Sequence, residues 1–393
     1  MRRLLLIVVT LGLLLAGPAF AEPITLNAEQ KARLQQLLPG TKIDEHLLQG
    51  LAELFYSHDM PVTVRLKAIS TLAGLDRMPP STTLHRNICI WDIGGRAGPV
   101  YQAAMEQRTI ALQYGVHLKM MPFTNESILV EALKSGQCDA ALMSGLRART
   151  FNRYTGTVDA IGAIPDNQQM HTLLRVLADP SQAGRMVQGQ YVIMGIYPAG
   201  SAYIFVDDKR ISSLANAAGK KVAVLDFDPM QAEMVAGIGA TPVPTDFVSA
   251  PNMFNNHVVD ILPSPLVAYE FLELYKGMTP NGGIVDYPFT QLTMQLVGRL
   301  DKFPNVIAQL IREASLQAYG RIRQRLKTEE DRVPDHWWIH ISDADKNKYD
   351  IMMQKARENL KDKGYYSADM LELEHRIRCK YNPARAECTR HQE

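Results

Sequence analysis

The sequence lacks an excess of charge of either sign, and beyond its first residues it has no long apolar run. Its 42 lysines and arginines stand against 41 aspartates and glutamates, a formal net charge of +1. Nucleic-acid binding needs a basic excess, and attachment to a lipid surface needs a polybasic patch. No later segment is apolar over the length of a bilayer. We therefore expect neither a nucleic-acid partner nor direct insertion into a membrane.

Catalytic and metal-binding motifs are also missing. No Gly-x-Ser-x-Gly nucleophile elbow is present, and we predict that "PAGSAY" is a loop. The ten histidines show neither His-Glu-x-x-His nor another paired spacing for a metal. We expect no cofactor, no metal and no enzymatic activity. The enzyme alternative stays open through one pair of titratable residues, Asp92 and Asp226.

The one apolar run lies at the start of the chain. Arg2 and Arg3 precede "LLLIVVTLGLLLAG", and small residues precede Glu22. This is the pattern of a secretory signal, residues 1–21, cleaved after Ala21. An uncleaved anchor is the alternative, but the run is shorter than the roughly 20 residues that span a bilayer. We expect an exported, periplasmic chain whose formal charge changes from +1 to −1 when the two arginines are removed.

Cysteine is scarce but even in number. The chain has four cysteines, Cys89, Cys138, Cys379 and Cys388. In an oxidising compartment disulfides are the default, and the last two cysteines would close a small loop. The alternative is a zinc site that adds His375 and His391, although this spacing matches no common finger. If the last two cysteines pair, Cys89 and Cys138 remain as the second pair.

Residue patterns divide the chain into five segments. We predict a signal peptide at 1–21, a helical N-terminal extension at 22–85, α/β lobe I at 86–195 plus 289–330, α/β lobe II at 196–288 and a helical tail at 331–393. Short apolar strands alternate with capped helices in both lobes, as in "NICIWDIGG" followed by "GPVYQAAMEQRTIALQYG". This alternation indicates βαβ units, and the continuous apolarity of the strands indicates a sheet covered on both faces. We also predict a helix at 166–188 and another from Phe303 through Lys327.

Two stretches carry a resemblance to a known family. "ILVEALKSGQCDAALMSG" in the first lobe and "AAGKKVAVLDFDPMQAEMVAGIGATPVPTDF" in the second resemble the solute-binding proteins of TRAP (tripartite ATP-independent periplasmic) transporters. The whole chain is more similar to the AdeT-like solute-binding family, whose members have carried the label of RND-type efflux component. That label does not fit, because an RND pump needs many membrane spans.

The resemblance implies a two-lobed α/β fold of the periplasmic-binding-protein type. Crossing strands would join the lobes, a small molecule would bind in the cleft between them, and the cleft would close on it. In that fold the first and third strands are neighbours, which places Cys89 beside Cys138. The resemblance also implies delivery of the solute to a membrane transporter component.

One departure from the family lies in "GKKVAVLDFDP". The family carries an arginine in this strand, where its guanidinium pairs with a substrate carboxylate. The corresponding residue is Ala223. The usual inference of an organic-acid ligand therefore does not carry over, and the class of solute stays open.

Ligand-binding candidates are the residues at the carboxyl ends of strands, where open α/β sheets bind their ligands. They are Trp91, Asp92, Arg96, Arg147, Arg149, Tyr203, Asp226 and Ser264. Each has a plainer alternative: the glycines around Arg96 form a tight turn, and the two arginines of "GLRART" form surface ion pairs. Asp228 before Pro229 is favoured as a helix cap rather than a ligand contact.

The sequence thus predicts an exported solute-binding protein. Two alternatives remain. One is an interaction protein that uses its helical extensions, and the other is an enzyme on the same fold. Trp337 and Trp338 would stack a sugar in a binding role, but we favour packing of the tail against the body.

Overall fold

The computed structural model describes residues 60–72, 84–385 and 387–388. The predicted signal peptide and most of the N-terminal extension lie outside these residues. The chain divides into two compact units. Unit 1 contains the residues through Met143, Arg175–Ile196 and Gln295–Gln317, and unit 2 contains Ser144–Leu174, Tyr197–Met294 and the residues from Ala318 onward.

The strands and main helices follow the predicted alternation. Besides the two-residue strand Val187–Gln188, the strands are β1 Leu84–Trp91, β2 Val116–Phe123, β3 Ala140–Ser144, β4 Tyr191–Val206, β5 Lys221–Leu225, β6 Thr241–Thr245, β7 Ile261–Pro265, β8 Gly283–Arg299 and β9 Trp338–Ile339. The described α-helices of seven or more residues are α1 Val62–Leu72, α2 Pro99–Leu112, α3 Glu126–Lys134, α4 Asn167–Leu177, α5 Pro229–Gly237, α6 Ser249–Asn255, α7 Asn305–Gln317, α8 Tyr319–Glu330, α9 Asp343–Asp362 and α10 Ala368–Tyr381.

Unit 1 is built on parallel strands in the order β2–β1–β3. Its core contains residues from β1, α2, β4 and α7, among them Ile90, Tyr101 and Ala308. Asn125 caps α3 by accepting a hydrogen bond from the N–H of Ile128. The described part of the N-terminal extension belongs here, because Arg65 of α1 forms an ion pair with Glu313 of α7.

Unit 2 has the strand order β4–β7–β5–β6, in which β4 and β7 are antiparallel and the other pairs are parallel. The two faces of β5 are both covered, as the sequence predicts: Val222 packs in one apolar cluster and Ala223 in another. Strands β4 and β8 run through both units along the chain.

The C-terminal helices belong to unit 2 and are fixed by two buried arginines. Arg357 of α9 donates to the carbonyl of Ile161 at 3.0 Å, and Arg378 of α10 donates to the carbonyl of Ala163 at 2.6 Å. Both also bind the carboxylate of Glu387, at 3.1 Å and 3.0 Å. Such a network of charges can be buried because each guanidinium meets both a carboxylate and a carbonyl. The tail is therefore part of the body of unit 2.

Both predicted disulfides are confirmed. Cys89 and Cys138 are joined with their Cα atoms 5.9 Å apart, and β1 pairs with β3 as the resemblance implies. Cys379 and Cys388 are joined with a Cα separation of 5.5 Å. The second bridge connects the neighbours of Arg378 and Glu387 in sequence, so it holds this ion pair together.

Several boundaries differ from those predicted. "PAGSAY", expected as a loop, lies inside strand β4. The helix expected from 166 to 188 ends at Leu177, and Pro180 begins a short 3-10 helix instead. The helix expected from Phe303 through Lys327 is two helices, and the chain passes from unit 1 to unit 2 between them.

The units also group residues differently from the predicted lobes. Residues 144–174, 289–294 and 318–330, expected in lobe I, group with unit 2. Within unit 2 these segments contact each other, because Tyr319 stacks on His171 with ring centroids 4.5 Å apart and donates to the carbonyl of Asn167. Among the described residues, no helix has both the length and the apolarity needed to cross a bilayer.

Candidate functional site

In unit 1, Asp92 follows strand β1 and caps helix α2. Its carboxylate accepts hydrogen bonds from the backbone N–H groups of Gly94, Val100 and Tyr101 at 2.8, 2.8 and 2.9 Å. Asp92 is 5% exposed. The amides and the dipole at the N-terminus of α2 are thus satisfied by the chain's own carboxylate.

Gly98 is required by this cap. A Cβ atom on Gly98 would lie 1.8 Å from a carboxylate oxygen of Asp92, so only glycine lets the carboxylate approach the helix. The two other candidates of unit 1 lie close by in sequence. Trp91 is the half-buried last residue of β1, and Arg96 is exposed in the short 3-10 helix Gly95–Ala97.

In unit 2, Arg147 stacks on an aromatic ring that the sequence did not indicate. Its guanidinium carbon lies 3.3 Å from the centroid of Phe227, and Phe227 lies 6.1 Å from Phe247. Phe227 follows Asp226 directly after β5, and Phe247 follows β6. Because β5 and β6 are parallel neighbours, their carboxyl ends bring these residues together. This group of Arg147, Asp226, Phe227 and Phe247 is called the arginine–aromatic cluster below.

Arg149, two residues further on, is buried and bound by the chain itself. Its guanidinium lies 3.6 Å from the Asp228 carboxylate, also donates to the hydroxyl of Tyr365, and donates through Nε to the carbonyl of Gly156 at 3.1 Å. The Tyr365 hydroxyl donates to the same carboxylate at 2.5 Å. Arg149 is 9% and Asp228 3% exposed. These contacts give Arg149 a structural role.

Asp228 also caps helix α5, as the sequence predicts, because it accepts a hydrogen bond from the N–H of Gln231 and precedes Pro229. Burial raises the pKa of Asp228, while Arg149 and the amide groups of Gln231 oppose that rise. Gly156 permits the approach of Arg149, because a Cβ atom there would lie 2.3 Å from the Arg149 Cα.

The remaining candidates lie on unit 2. Asp226 is exposed, and its N–H donates to the carbonyl of Thr245 at 2.8 Å. Tyr203 and Ser264 are paired residues of β4 and β7. Tyr203 makes an edge contact with Trp338 at 5.4 Å between centroids, and burial raises its pKa to about 12.

The two tryptophans pack against the body, as the favoured interpretation predicted. Trp337 donates to the hydroxyl of Tyr269 at 2.9 Å, and both tryptophans contact the main core cluster of unit 2. The second tryptophan does not lie on a helix of the tail. Trp338 belongs to the short strand β9, which pairs with β8.

A buried carboxylate that the sequence did not reveal lies where residues 144–159 meet β8. Asp159 is 3% exposed and accepts hydrogen bonds from the backbone N–H of Thr293 at 3.1 Å and from its hydroxyl at 2.5 Å. Burial raises the pKa of Asp159 to about 7, against the opposing effects of the Thr293 hydrogen bonds and Arg149. A Cβ atom on Gly145 would lie 2.5 Å from this carboxylate.

Within the described ranges, there is no metal-binding arrangement of three or more side chains drawn from histidine, cysteine, aspartate and glutamate. Cys379 and Cys388, which the alternative zinc site would have used, are joined to each other, and His391 lies outside those ranges. The aromatic partners Phe227, Phe247 and Tyr365 were missed. The only available signal for Phe227 was its place between two aspartates after an apolar strand.

Residues 71–393 match the model of the family described as solute-binding protein AdeT 1/2. The chain belongs to this family. It is 36% identical over 304 residues to the probable solute-binding protein AdeT1 of Acinetobacter baumannii, covering 77% of this chain and 100% of that protein. Identity to the probable solute-binding protein AdeT2 of the same organism is 30% over 233 residues, covering 59% of this chain and 98% of that protein.

Solved structures of TRAP periplasmic solute-binding proteins have the same fold as this AdeT-family chain. The protein from Ralstonia eutropha H16, with bound (S)-2-acetolactate, has a TM-score of 0.62 at 14% identity. The protein from Sulfitobacter sp. NAS-14.1, with bound β-D-galacturonate, has a TM-score of 0.61 at 17% identity. Each match covers 75% of this chain and 99% of the solved chain. The predicted two-lobed α/β fold of the TRAP type is thereby confirmed.

Proposed function

We propose that this chain is an exported solute-binding protein that captures a small molecule in the periplasm and delivers it to a membrane transport component. The observation that carries the proposal is the match of residues 71–393 to a solute-binding family, together with the TRAP-type fold. The signal pattern at 1–21 supports export. The two solved relatives described above hold small organic acids, which supports a small polar solute.

The solute is not held by a carboxylate-pairing arginine in strand β5. Ala223 is 5% exposed and packs with Phe205, Phe254 and Leu262 in the main core cluster of unit 2. By the resemblance described above, TRAP solute-binding proteins have an arginine at the position of Ala223. An alanine methyl group offers no hydrogen bond, so the class of solute must be decided by other side chains.

Arg147 is the arginine that we assign to the solute. The Phe227 ring fixes the plane of its guanidinium, so less conformational entropy is lost when the guanidinium binds an acidic group. Exposed Asp226, beside Phe227 in sequence, adds a carboxylate that suits a cationic or hydroxyl group. Arg149 is not assigned to the solute, because Asp228, Tyr365 and Gly156 bind it. Asp92 is left out for the same reason, since three backbone amides bind its carboxylate.

Thermal shift measurements with acids, amines and sugars test this assignment. We expect at least one class to stabilise the purified chain, and Arg147→Ala to lose that stabilisation. Arg147→Lys keeps the charge but loses the planar fork, so it should retain only part of the shift. Arg153→Ala is the matched control, because Arg153 is in the same segment but donates to the carbonyl of Gly364 instead.

Arg149→Ala separates a structural role from a binding role. It should lower the melting temperature of the unliganded chain while leaving the ligand-induced shift largely intact. Equal shifts in wild type and Arg147→Ala would remove Arg147 from the site. No shift with any compound class would contradict solute capture itself.

A further inference from the structure

A groove of about 630 Å³ lies within unit 2, between helices α5 and α9. Its size falls in the range of small-molecule sites, which is about 300–1,000 Å³. It is separate from the arginine–aromatic cluster, since none of the residues of that cluster lines it. The proposed function therefore leaves it unused.

The walls of the groove are mainly apolar and flexible. Met230 and Met234 of α5 face it at helical spacing, and Met352, Ile351 and Leu360 face it from α9. Ile351 is 46% exposed and lies beside the partly exposed methionines, so the groove presents a continuous apolar surface rather than one isolated side chain. Methionine side chains adapt their shape to a partner and suit a binding surface for apolar chains of varied shape.

The rim of the groove is positively charged. Lys348 and Lys355 line it, and the lining carboxylate, Glu233, already forms an ion pair with Lys363. Lys348 bonds Asp345 at 2.9 Å, on the same helix. Within the described chain, Lys355 has no ion pair. An occupant with an acidic head would complement this rim, whereas a cationic one would be repelled.

We propose that this groove binds an anionic amphiphile, a single apolar chain that ends in an acidic group. The chain would lie along α5 over the methionines, and the head group would meet Lys355. From Met230 to Gly237 the helix rises about 10 Å, which suits an apolar chain of about eight to ten carbons. Burial of apolar chain supplies the affinity, and Lys355 selects the head group.

Decanoate is the probe for this site, measured by its displacement of the fluorescent anion 1-anilinonaphthalene-8-sulfonate from the purified chain. We expect saturable binding of one decanoate per chain, and octanoate should bind about tenfold more weakly, since each methylene contributes about threefold to fourfold. Decanol should bind about fivefold more weakly than decanoate, and decyltrimethylammonium more weakly still.

Two variants locate the site. Ala236→Trp fills the groove from an exposed position and should abolish displacement by decanoate. Lys355→Glu should weaken decanoate five- to tenfold and leave decanol unchanged. Lys346→Glu is the control, because this lysine lies on the same helix outside the groove and pairs with Asp343. Equal melting temperatures show that the variants fold.

Several results would overturn the proposal. They are the absence of saturable decanoate binding, unchanged binding in both groove variants, and tighter binding of the cationic amphiphile. The proposal would also be overturned if the wild type self-associates and Ala236→Trp does not. The occupant of the groove would then be a second copy of the chain. Both groove variants should keep any solute-induced stabilisation that depends on Arg147, so failure here is distinguishable from failure of the proposed function.

Discussion

Tyr365 donates a hydrogen bond to the carboxylate of Asp228 at 2.5 Å, across 137 residues of sequence. Asp228 caps helix α5 at the end of strand β5, and Tyr365 lies between the two C-terminal helices. The contact links the helical tail to the segment that follows strand β5. The tail therefore stabilises this part of unit 2 directly.

Loss of the Tyr365 hydroxyl should destabilise the protein. We expect Tyr365→Phe to lower the free energy of unfolding by about 2 kcal/mol, because a buried carboxylate and a buried guanidinium both lose a partner. Urea unfolding measures the change. Tyr381→Phe is the matched control on α10, since this tyrosine is 38% exposed and bonds Thr172 at 2.7 Å. The control should change by less than about 0.5 kcal/mol, and equal effects would contradict the structural role.

Gly98 should not tolerate even a methyl group. Its φ of −71° suits any residue, so the cost of Gly98→Ala is steric only and comes from the Asp92 carboxylate. We expect a loss of about 3 kcal/mol or more in the free energy of unfolding. Gly184→Ala, where a Cβ atom would meet nothing within 4 Å, should be nearly neutral. A neutral Gly98→Ala would mean that Asp92 does not cap α2 so closely.

Asp159 should make stability fall as pH rises. Its pKa in the folded chain is about 7, above the ordinary value of 3.8, so the folded state holds a proton that the unfolded state releases between these values. The free energy of unfolding is then greatest below about pH 4 and is lost progressively up to about pH 7, by on the order of 4 kcal/mol. Subtracting the pH profile of Asp159→Asn from that of the wild type should isolate this slope. Parallel profiles would contradict the assignment.

Glu387 should contribute far more stability than a surface glutamate. Burial opposes its ionisation, but Arg378, Arg357 and Arg385 hold its pKa below the usual range. Glu387→Gln removes the carboxylate charge that the buried guanidinium groups of Arg357 and Arg378 both bind, and we expect a loss of about 3–5 kcal/mol by urea unfolding. Glu372→Gln is the control, because it removes an exposed pair with Arg376 and should cost less than about 1 kcal/mol.

The stability from Glu387 also has a defined pH window. Because its folded pKa is lowered from 4.5, the stabilisation is present above about pH 4.5 and is lost as pH falls through the folded pKa. Its sign is opposite to that of Asp159, and its window lies lower. If Glu387→Gln loses as much stability on acidification as the wild type does, this role is contradicted.

Local sequence patterns are enough to predict much of the fold. The apolar runs at β1, β3 and β5 and the caps at Asn125 and Asp228 are encoded within a few residues, so the sequence predicts their elements. The cysteine count and the strand order implied by the resemblance were enough to pair Cys89 with Cys138.

Contacts between distant segments could not be predicted in the same way. Nothing near Arg149 indicates that Tyr365 binds it, and nothing near Asp159 indicates Thr293. Asp92 illustrates a different limit. A carboxylate after a strand suits either a ligand or a helix cap, and only the distances to Val100 and Tyr101 decide for the cap.

Native mass spectrometry of the purified chain tests the central claim, that it holds a small solute through Arg147. We predict a defined small-molecule adduct on the wild type and on Arg153→Ala that gentle activation releases, and its absence from Arg147→Ala. The contradicting result is a bare wild-type chain that no acid, amine or sugar stabilises, or an adduct equally abundant on wild type and Arg147→Ala.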